Sequence, residues 1–396
     1  MAVSILNRQA AEALIQEQII NTIQQEAPAN SVFMSMATKL PNMSSGVTRM
    51  PVLSVMPSAY FVNGETGYKQ TTKQEWENVY LNAAELAVIV PIPEAVIEDA
   101  SFDIIGEITP RITEAIGERV DAAVLFGNNR PSEWELDIVS RARVAGNNVP
   151  VGSNPDYYNL LLGEGGVISK VEETGTMVTG AVASMGMRAK LRGIKTTDGY
   201  PIFKADMQSG TTYTLDGAPI SFPQNGSFDN TVAQLIVGDF SKAVYAIRQD
   251  ITVKILDQGV IQDPTTGDIV YNLAQQDMVA LRVVFRMGWA LPNPATRMNG
   301  GRVNVPFAYL EPATAQTTQT VTLTIKDSAS TPKAVAGAEV TIDGAKVVAD
   351  ASGVAKANLT AGEYKVSVKA DGFKAYNTTI TVAAAAVSQT INLTAK

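Results

Sequence analysis

The chain has 396 residues, 45% of them apolar and 18% charged, with a net charge of −8. That length holds about two or three domains with a sizeable core, and the acidic balance gives no basis for tight phosphate binding to nucleic acid or to an anionic membrane. There is no Cys and no His, which removes disulfides, thiolate chemistry, Ser–His–Asp and Cys–His catalysis and nearly all zinc sites.

The opening residues, Met1 to Arg8, carry no basic region ahead of an apolar run, so no signal peptide is read. No window approaches the roughly 18 apolar residues that a membrane span needs. A cytoplasm, or a particle assembled there, is the expected setting. Residues 5–26 have helical spacing, and Ala27–Pro28 ends it. Residues 27–48 form a polar, Met-rich arm that either wanders or lies on a neighbour. Extended strands are read at Thr48–Val62 and Tyr80–Val90. The polar stretch between them contains Asn63–Gly64 and Thr66–Gly67, which is hairpin-turn chemistry. A long two-stranded hairpin is marginal alone, so this one needs another surface to rest on. Lys69 and Lys73 stand on its tip beside Tyr68 and Trp76. These lysines either contact carboxylates of a neighbour or, beside an Asn and a Glu in a dry interface, form an isopeptide bond.

Leu86 to Ile97 reads as a buried strand broken by Pro91 and Pro93. The longest helical pattern follows, from Asp103 to Phe126, with Ile105, Ile108, Ile112, Ile116, Val120 and Val124 on one face. Ser101 is the expected N-cap, and Gly127 to Pro131 is the stop signal. Pro110 either kinks this helix or restarts it with Thr109 as a cap. Residues 131–157 read as irregular and Val171–Leu191 as a helix. Short strands follow at Tyr200–Phe203, Ala218–Phe222, Leu235–Phe240, Ala243–Ile247 and Thr252–Leu256. Met278–Ala290 is a long strand with Arg282 and Arg286 on one face and Val283 and Phe285 on the other.

Composition changes after Pro312, where residues 313–320 are a small polar linker. Beyond it, period-two strands recur at Val321–Ile325, Val340–Ile342, Val354–Leu359, Tyr364–Val368, Ile380–Val382 and Ile391–Leu393. Glycine turns separate them, including Asp343–Gly344, which indicates a β-sandwich.

Catalytic constellations are missing. Gly163 to Gly166 lacks the Gly–Lys–Ser/Thr ending of a phosphate loop, and Ser330 to Lys333 matches Ser-x-x-Lys only within a sandwich loop. Asp99, Asp103 and Glu107 are better explained as caps and solvated carboxylates than as acid–base groups. Asp343 and Asp350 lack the acidic ladder of a calcium loop and read as turn formers. No catalytic residue, cofactor or metal ligand set is read.

Several runs in order carry a resemblance across residues 1–312. A long hairpin precedes Glu98–Asp99–Ala100 and the long helix, which ends in Phe126–Gly127–Asn128. Leu215 to Ile220, Val237 to Lys242, Tyr245 to Arg248, Arg282 to Arg286 and Pro306 to Leu310 follow. Together they resemble the major capsid proteins of tailed phages with the Hong Kong 97 fold. The resemblance implies an α+β fold with an N-terminal arm at 1–48, an E-loop hairpin at 49–85 and a peripheral domain at 86–131 and 278–312 that holds a spine helix. It also implies an axial domain at 132–277. It further implies hexamers and pentamers closing an icosahedral shell around double-stranded DNA, with DNA met by non-specific proximity and a portal as partner. Subunit-interface residues are then expected at Tyr68, Lys69, Lys73, Trp76, Arg282 and Arg286. Members that carry their own scaffold have a long charged helix ahead of the arm; here the arm begins almost at Met1, which implies a separate scaffolding protein or none. The Asn and Glu of cross-linking members find no match.

Residues 321–396 contain Ala336 to Gly344, Asp350 to Gly353, Gly362 to Tyr364 and Asp371 to Phe373. They are similar to all-β immunoglobulin-like sandwiches of the carboxypeptidase-regulatory type. The similarity implies a domain on the capsid exterior, either binding glycans weakly or serving as a passive knob. Two other readings stay open: an encapsulin-like compartment shell and a surface adhesin.

Overall fold

The computed structural model describes residues 31–61, 68–69, 71–99, 103–152, 155–195, 213–263, 265–298, 305–313, 318–329, 331–383 and 385–396. The expected helix at 5–26, the Ser101 cap and the strand at Tyr200–Phe203 lie outside the described residues.

The described part of the arm lies on its own subunit, in contrast to the expectation for 27–48. A short helix, α1 (Val32–Met36), buries Phe33 completely. A two-residue strand, β1 (Thr38–Lys39), then pairs in parallel with β10 (Val244–Leu256). The hairpin is β2 (Val47–Val55) against β3 (Glu75–Asn82), with Val47 opposite Asn82 and Leu53 opposite Trp76. The return strand therefore starts at Glu75, earlier than the Tyr80 expected. What was read as its continuation is a separate strand, β4 (Ala84–Pro93). β4 carries Pro91 and Pro93 without a break because it is the edge of its sheet, paired only with β13 (Met278–Ala290). Its side chains are mainly half-buried or exposed, with only Ile92 buried, for the same reason.

After α2 (Glu94–Asp99), the long helix α3 runs from Ile104 to Phe126, about 34 Å at about 1.5 Å per residue. Its observed N-cap is Asp103, whose Oδ1 accepts from the Gly106 N–H at 3.0 Å. Pro110 falls in the second turn and neither ends nor restarts the helix; Thr109 is not a cap, and its carbonyl accepts from Thr113 Oγ1 at 3.1 Å. The helix stops at Gly127, whose φ of 74° is left-handed. There Gly127 N–H donates to the Ala123 carbonyl and Asn128 N–H to Ala122, each at 3.1 Å.

Ile112, Ile116, Val120 and Val124 of α3 form one core with Leu281, Val283, Phe285, Met287 and Trp289 of β13. The helix thus covers one face of a four-stranded sheet of order β1-β10-β13-β4. Phe33 closes the end of this core, its ring centroid 6.0 Å from Trp289 and 6.2 Å from Tyr245. β10 joins two strands that the sequence separates, since irregular register between Ile247 and Thr252 bends one ladder without ending it. The β11 (Val260–Gln262) and β12 (Ile269–Asn272) hairpin extends beyond it.

The span 131–157 is more regular than expected. It holds α4 (Ile138–Val144) and β5 (Asn148–Pro150), and α5 (Tyr157–Leu162) follows at its end. The helix expected at Val171–Leu191 is two helices around a strand: α6 (Val167–Glu172), β6 (Gly180–Ala183) and α7 (Met185–Arg192). Gly175, with a φ of 78°, lies between α6 and β6. Four small or branched residues, Gly180 to Ala183, are all buried, which is the composition of a central strand. With β7 (Thr214–Leu215), β8 (Ala218–Ser221), β9 (Leu235–Gly238) and β14 (Phe307–Glu311) they make a six-stranded sheet of order β5-β14-β9-β6-β8-β7. The two sheets exchange segments along the chain. β10 pairs with β13, while Phe307–Glu311 pairs with β5 and β9.

The C-terminal strands form a sandwich. One sheet is β18 (Val354–Leu359), β15 (Gln319–Asp327) and β21 (Val387–Leu393); the other is β17 (Ala345–Val348), β16 (Glu339–Ile342), β19 (Gly362–Lys369) and β20 (Tyr376–Val382). β17 escapes the sequence pattern. It returns from β16 through Asp343–Gly344, a two-residue turn with φ of 42° and 91°.

Candidate assembly interface

The hairpin is anchored at its base and bare further out. Val52, Val79 and Leu81 face inward and are buried with Met43, Val244 and Ala290. The Asn82 carbonyl accepts from Trp134 Nε1 at 2.9 Å, and Asn82 Nδ2 donates to the Glu133 carbonyl at 2.9 Å. Ala295 N–H reaches the Leu53 carbonyl at 3.0 Å. The opposite face of β3 carries Trp76 and Tyr80, 63% and 51% exposed. Beyond the stem, Tyr60, Phe61 and Tyr68 are 56%, 104% and 98% exposed. Such aromatics cost hydration free energy unless a partner covers them, and they are the residue types that concentrate binding energy in protein interfaces.

The six residues singled out by sequence fall in two places. Tyr68, Lys69, Lys73 and Trp76 lie on the hairpin stem and beyond, all exposed. Arg282 and Arg286 lie on the face of β13 away from α3. Arg282 is exposed directly opposite Lys254, a like-charged pair that a carboxylate from elsewhere would relieve. Arg286 is engaged within its own subunit, its Nε 3.5 Å from Glu85 Oε2.

Sequence reasoning missed three features. Tyr60, Phe61 and Tyr80 belong to the same exposed aromatic set, and isolated aromatics inside a polar hairpin are the signal that could have found them. A second set of exposed apolar side chains comprises Val253, Ile255, Val260, Ile269 and Val270 on β10 to β12. The third is Asp121, fully buried in α3. It accepts from Ser31 Oγ at 2.6 Å, Val32 N–H at 2.9 Å, Phe33 N–H at 3.0 Å and Asn225 Nδ2 at 2.9 Å. Burial still pushes its carboxyl above the ordinary range, against the pull of these donors. A carboxylate inside an apolar helical face, next to Val120, was its sequence signature.

A buried ionic group joins α4 to the loop before it. Arg141 pairs with Glu135 and donates to the Leu291 carbonyl at 3.2 Å. Burial, assisted by the neighbouring Arg130 charge, pushes its guanidinium down to about 9, so it remains charged at neutral pH. Asp137 caps α4 through the Ser140 N–H at 2.9 Å; burial raises its carboxyl, opposed by those hydrogen bonds and by Arg130.

Among the described residues no cluster of acidic side chains has the arrangement of a metal site, and no helix is long and apolar enough to cross a membrane. The arrangement is a row of exposed aromatics on a hairpin anchored at its base. The sequence profile of the phage capsid family matches residues 11–296, and that of the PEGA domain matches residues 329–396. The major capsid protein of Staphylococcus phage 80alpha is 25% identical over 288 residues, which span 72% of this chain and 83% of that protein. A solved chain from Microbacterium phage Oxtober96 superimposes with a TM-score of 0.68 at 33% identity, covering 78% of this chain and all (100%) of that one. One from Mycobacterium phage Cain gives 0.67 at 30% identity, covering 78% of this chain and 99% of that one.

Proposed function

As the chain belongs to the phage capsid family, and is a non-enzymatic major capsid protein of the virion shell, we propose that its hairpin and sheet surfaces join it into hexamers and pentamers of an icosahedral head. The observation that carries this reading is the row of exposed aromatics from Tyr60 to Tyr80, which a neighbouring subunit would cover. Tyr68, Lys69, Lys73 and Trp76 would meet that neighbour on one side. Arg282, beside Lys254, would receive carboxylates on the other. The four-stranded sheet with α3 would be the peripheral domain, and the six-stranded sheet, with Phe307–Glu311 included, the axial domain.

The shell would enclose double-stranded DNA by volume and not by specific contact, in keeping with a net charge of −8. It would also receive a portal at one vertex and assemble either with a separate scaffolding protein or with none. The C-terminal sandwich would face outward, where weak glycan contact is one use for it. Size-exclusion chromatography and negative-stain microscopy of the full chain test the assembly. Closed shells or capsomer-sized oligomers are expected. Monomers at every concentration, even with a candidate scaffold co-expressed, would overturn the reading.

A further inference from the structure

The sequence presents the sandwich as a separable appendage behind a polar linker, but its contacts are with the body and the hairpin. Leu136 and Val144 of the body are buried in the sandwich's own apolar core. The turn at Asp343–Gly344 is seated against the body. The Asp343 carbonyl accepts from Leu136 N–H at 2.9 Å, and its carboxylate lies 3.4 Å from Arg130 Nη2. A β-carbon on Gly344 would come within 2.7 Å of Arg141 Nη2 and 3.0 Å of the Glu135 carboxyl carbon.

A second line of contact reaches the hairpin. Glu77 shares the inward parity of Val79 and Leu81 on β3 and lies directly opposite Val52, at the outer edge of the apolar anchor. Its Oε2 accepts from Lys346 Nζ of β17 at 3.1 Å, and its Oε1 lies 3.8 Å from Lys369 Nζ of β19. Lys346 is only 10% exposed and also donates to Glu339 at 2.8 Å, so its ammonium is held between two carboxylates. Around this bridge the hairpin and sandwich are separated by an open cleft of about 760 Å³ lined by Trp76, Val335, Glu339, Lys369 and Phe373. Close apolar packing does not fill that cleft, so the ionic bridge carries the contact.

We infer that the sandwich is a brace for the hairpin: gripping the body at Leu136 and Arg130 and the hairpin at Glu77, it sets the direction in which the hairpin leaves the subunit. Glu77 is about 16 Å along β3 from Asn82, at about 3.3 Å per residue, and level with the contacts that Val52 and Leu53 of β2 make to the body. The bridge holds the β3 side of the stem where Val52 and Leu53 hold the β2 side, so the two together fix the direction of the part beyond Val55. The consequence for shell geometry rests on the proposed contact of the hairpin with a neighbour; the brace itself does not.

Hydrogen exchange on the unassembled full chain therefore tests it independently of assembly. The variants are Glu77→Gln, Lys346→Met and Glu339→Gln. Glu77→Gln and Lys346→Met are expected to speed exchange of the β2 and β3 amides beyond Val79 by roughly tenfold, while the β19 and β20 amides stay protected. Glu339→Gln keeps the Lys346–Glu77 bridge and is expected to leave hairpin exchange at the parent rate. Unchanged hairpin exchange in Glu77→Gln, or faster exchange in Glu77→Gln but not in Lys346→Met, would overturn the brace. Should Lys346→Met expose the β19 amides, Lys346→Arg replaces it. Its expected result is parent-like protection, and loss of hairpin protection with an intact sandwich would count against the proposal.

Discussion

Asp121 is the residue on which the arm depends. Its carboxylate takes the first two amides of α1 and the Ser31 hydroxyl, so three residues of the arm hang on one side chain of α3. The carboxyl is raised from its ordinary 3.8 by burial, so the folded state holds the proton more tightly than the unfolded chain does. That contribution to stability is complete below 3.8 and is lost as pH rises through the raised value. The melting temperature of the parent relative to Asp121→Asn is therefore expected to be flat below 3.8, to fall between 3.8 and the raised value, and to be flat again above it. A difference independent of pH would show that Asp121 titrates normally. Gly127 is a second such position. At a φ of 74° a side chain is strained, and a β-carbon would also sit 2.7 Å from Asp137 Oδ1. Gly127→Ala is expected to destabilise by about 2–4 kcal/mol in denaturant titrations, combining left-handed strain with disturbance of the α4 cap. The sequence signals Gly127 as a stop, because Gly followed by Asn and Pro ends helices. It does not reveal Asp137, which only the fold brings there.

At the scale of elements, the hairpin is the proposed assembly surface, and its exposed aromatics can be altered without disturbing the subunit's core. Phe61 and Tyr68 are exposed, so Phe61→Ser with Tyr68→Ser is expected to leave the melting temperature within about 1–2 °C of the parent. The same double variant is expected to shift sedimentation from shells towards free capsomers or monomers. Unchanged assembly would show that the aromatics are not covered. Phe33 gives the opposite case: it is fully buried among Trp289 and Tyr245, so Phe33→Ala is expected to cost about 3–5 kcal/mol. α3 and β13 were legible because each keeps one period over a long run. β4 was misjudged because apolar residues with two prolines look like a broken buried strand, whereas an edge strand tolerates them. The region 167–192 was misjudged for another reason. Gly175 and buried Gly180 to Ala183 mark a turn and a central strand, yet Met177, Val178, Val182 and Met185 mimic helical spacing across them.

In the whole molecule, the chain order hides which segments share a sheet. β1 reaches β10 across more than two hundred residues of sequence, and Phe307–Glu311 pairs with β5 and β9. Motif order carried the family likeness, but no local pattern contains these pairings. The same holds for the sandwich, whose alternating strands are plain while its seat on Leu136 and Val144 is not. A chain ending at Pro312 would expose those two side chains, each worth about 1.5–3 kcal/mol when fully buried. It is expected to melt several degrees lower than the full chain and to show faster exchange in α4, as differential scanning fluorimetry and hydrogen exchange would report. Equal stability would mean that the seat contributes nothing. The central claim is that the exposed hairpin of one subunit is covered by another in a closed shell. A cryo-electron microscopy reconstruction of particles formed by the full chain tests it most directly. Pentamers and hexamers are expected, with Tyr60, Phe61, Tyr68 and Trp76 buried against a neighbouring subunit. A shell in which those aromatics remain in solvent, or a chain that forms no shell even with a candidate scaffold co-expressed, would overturn this reading.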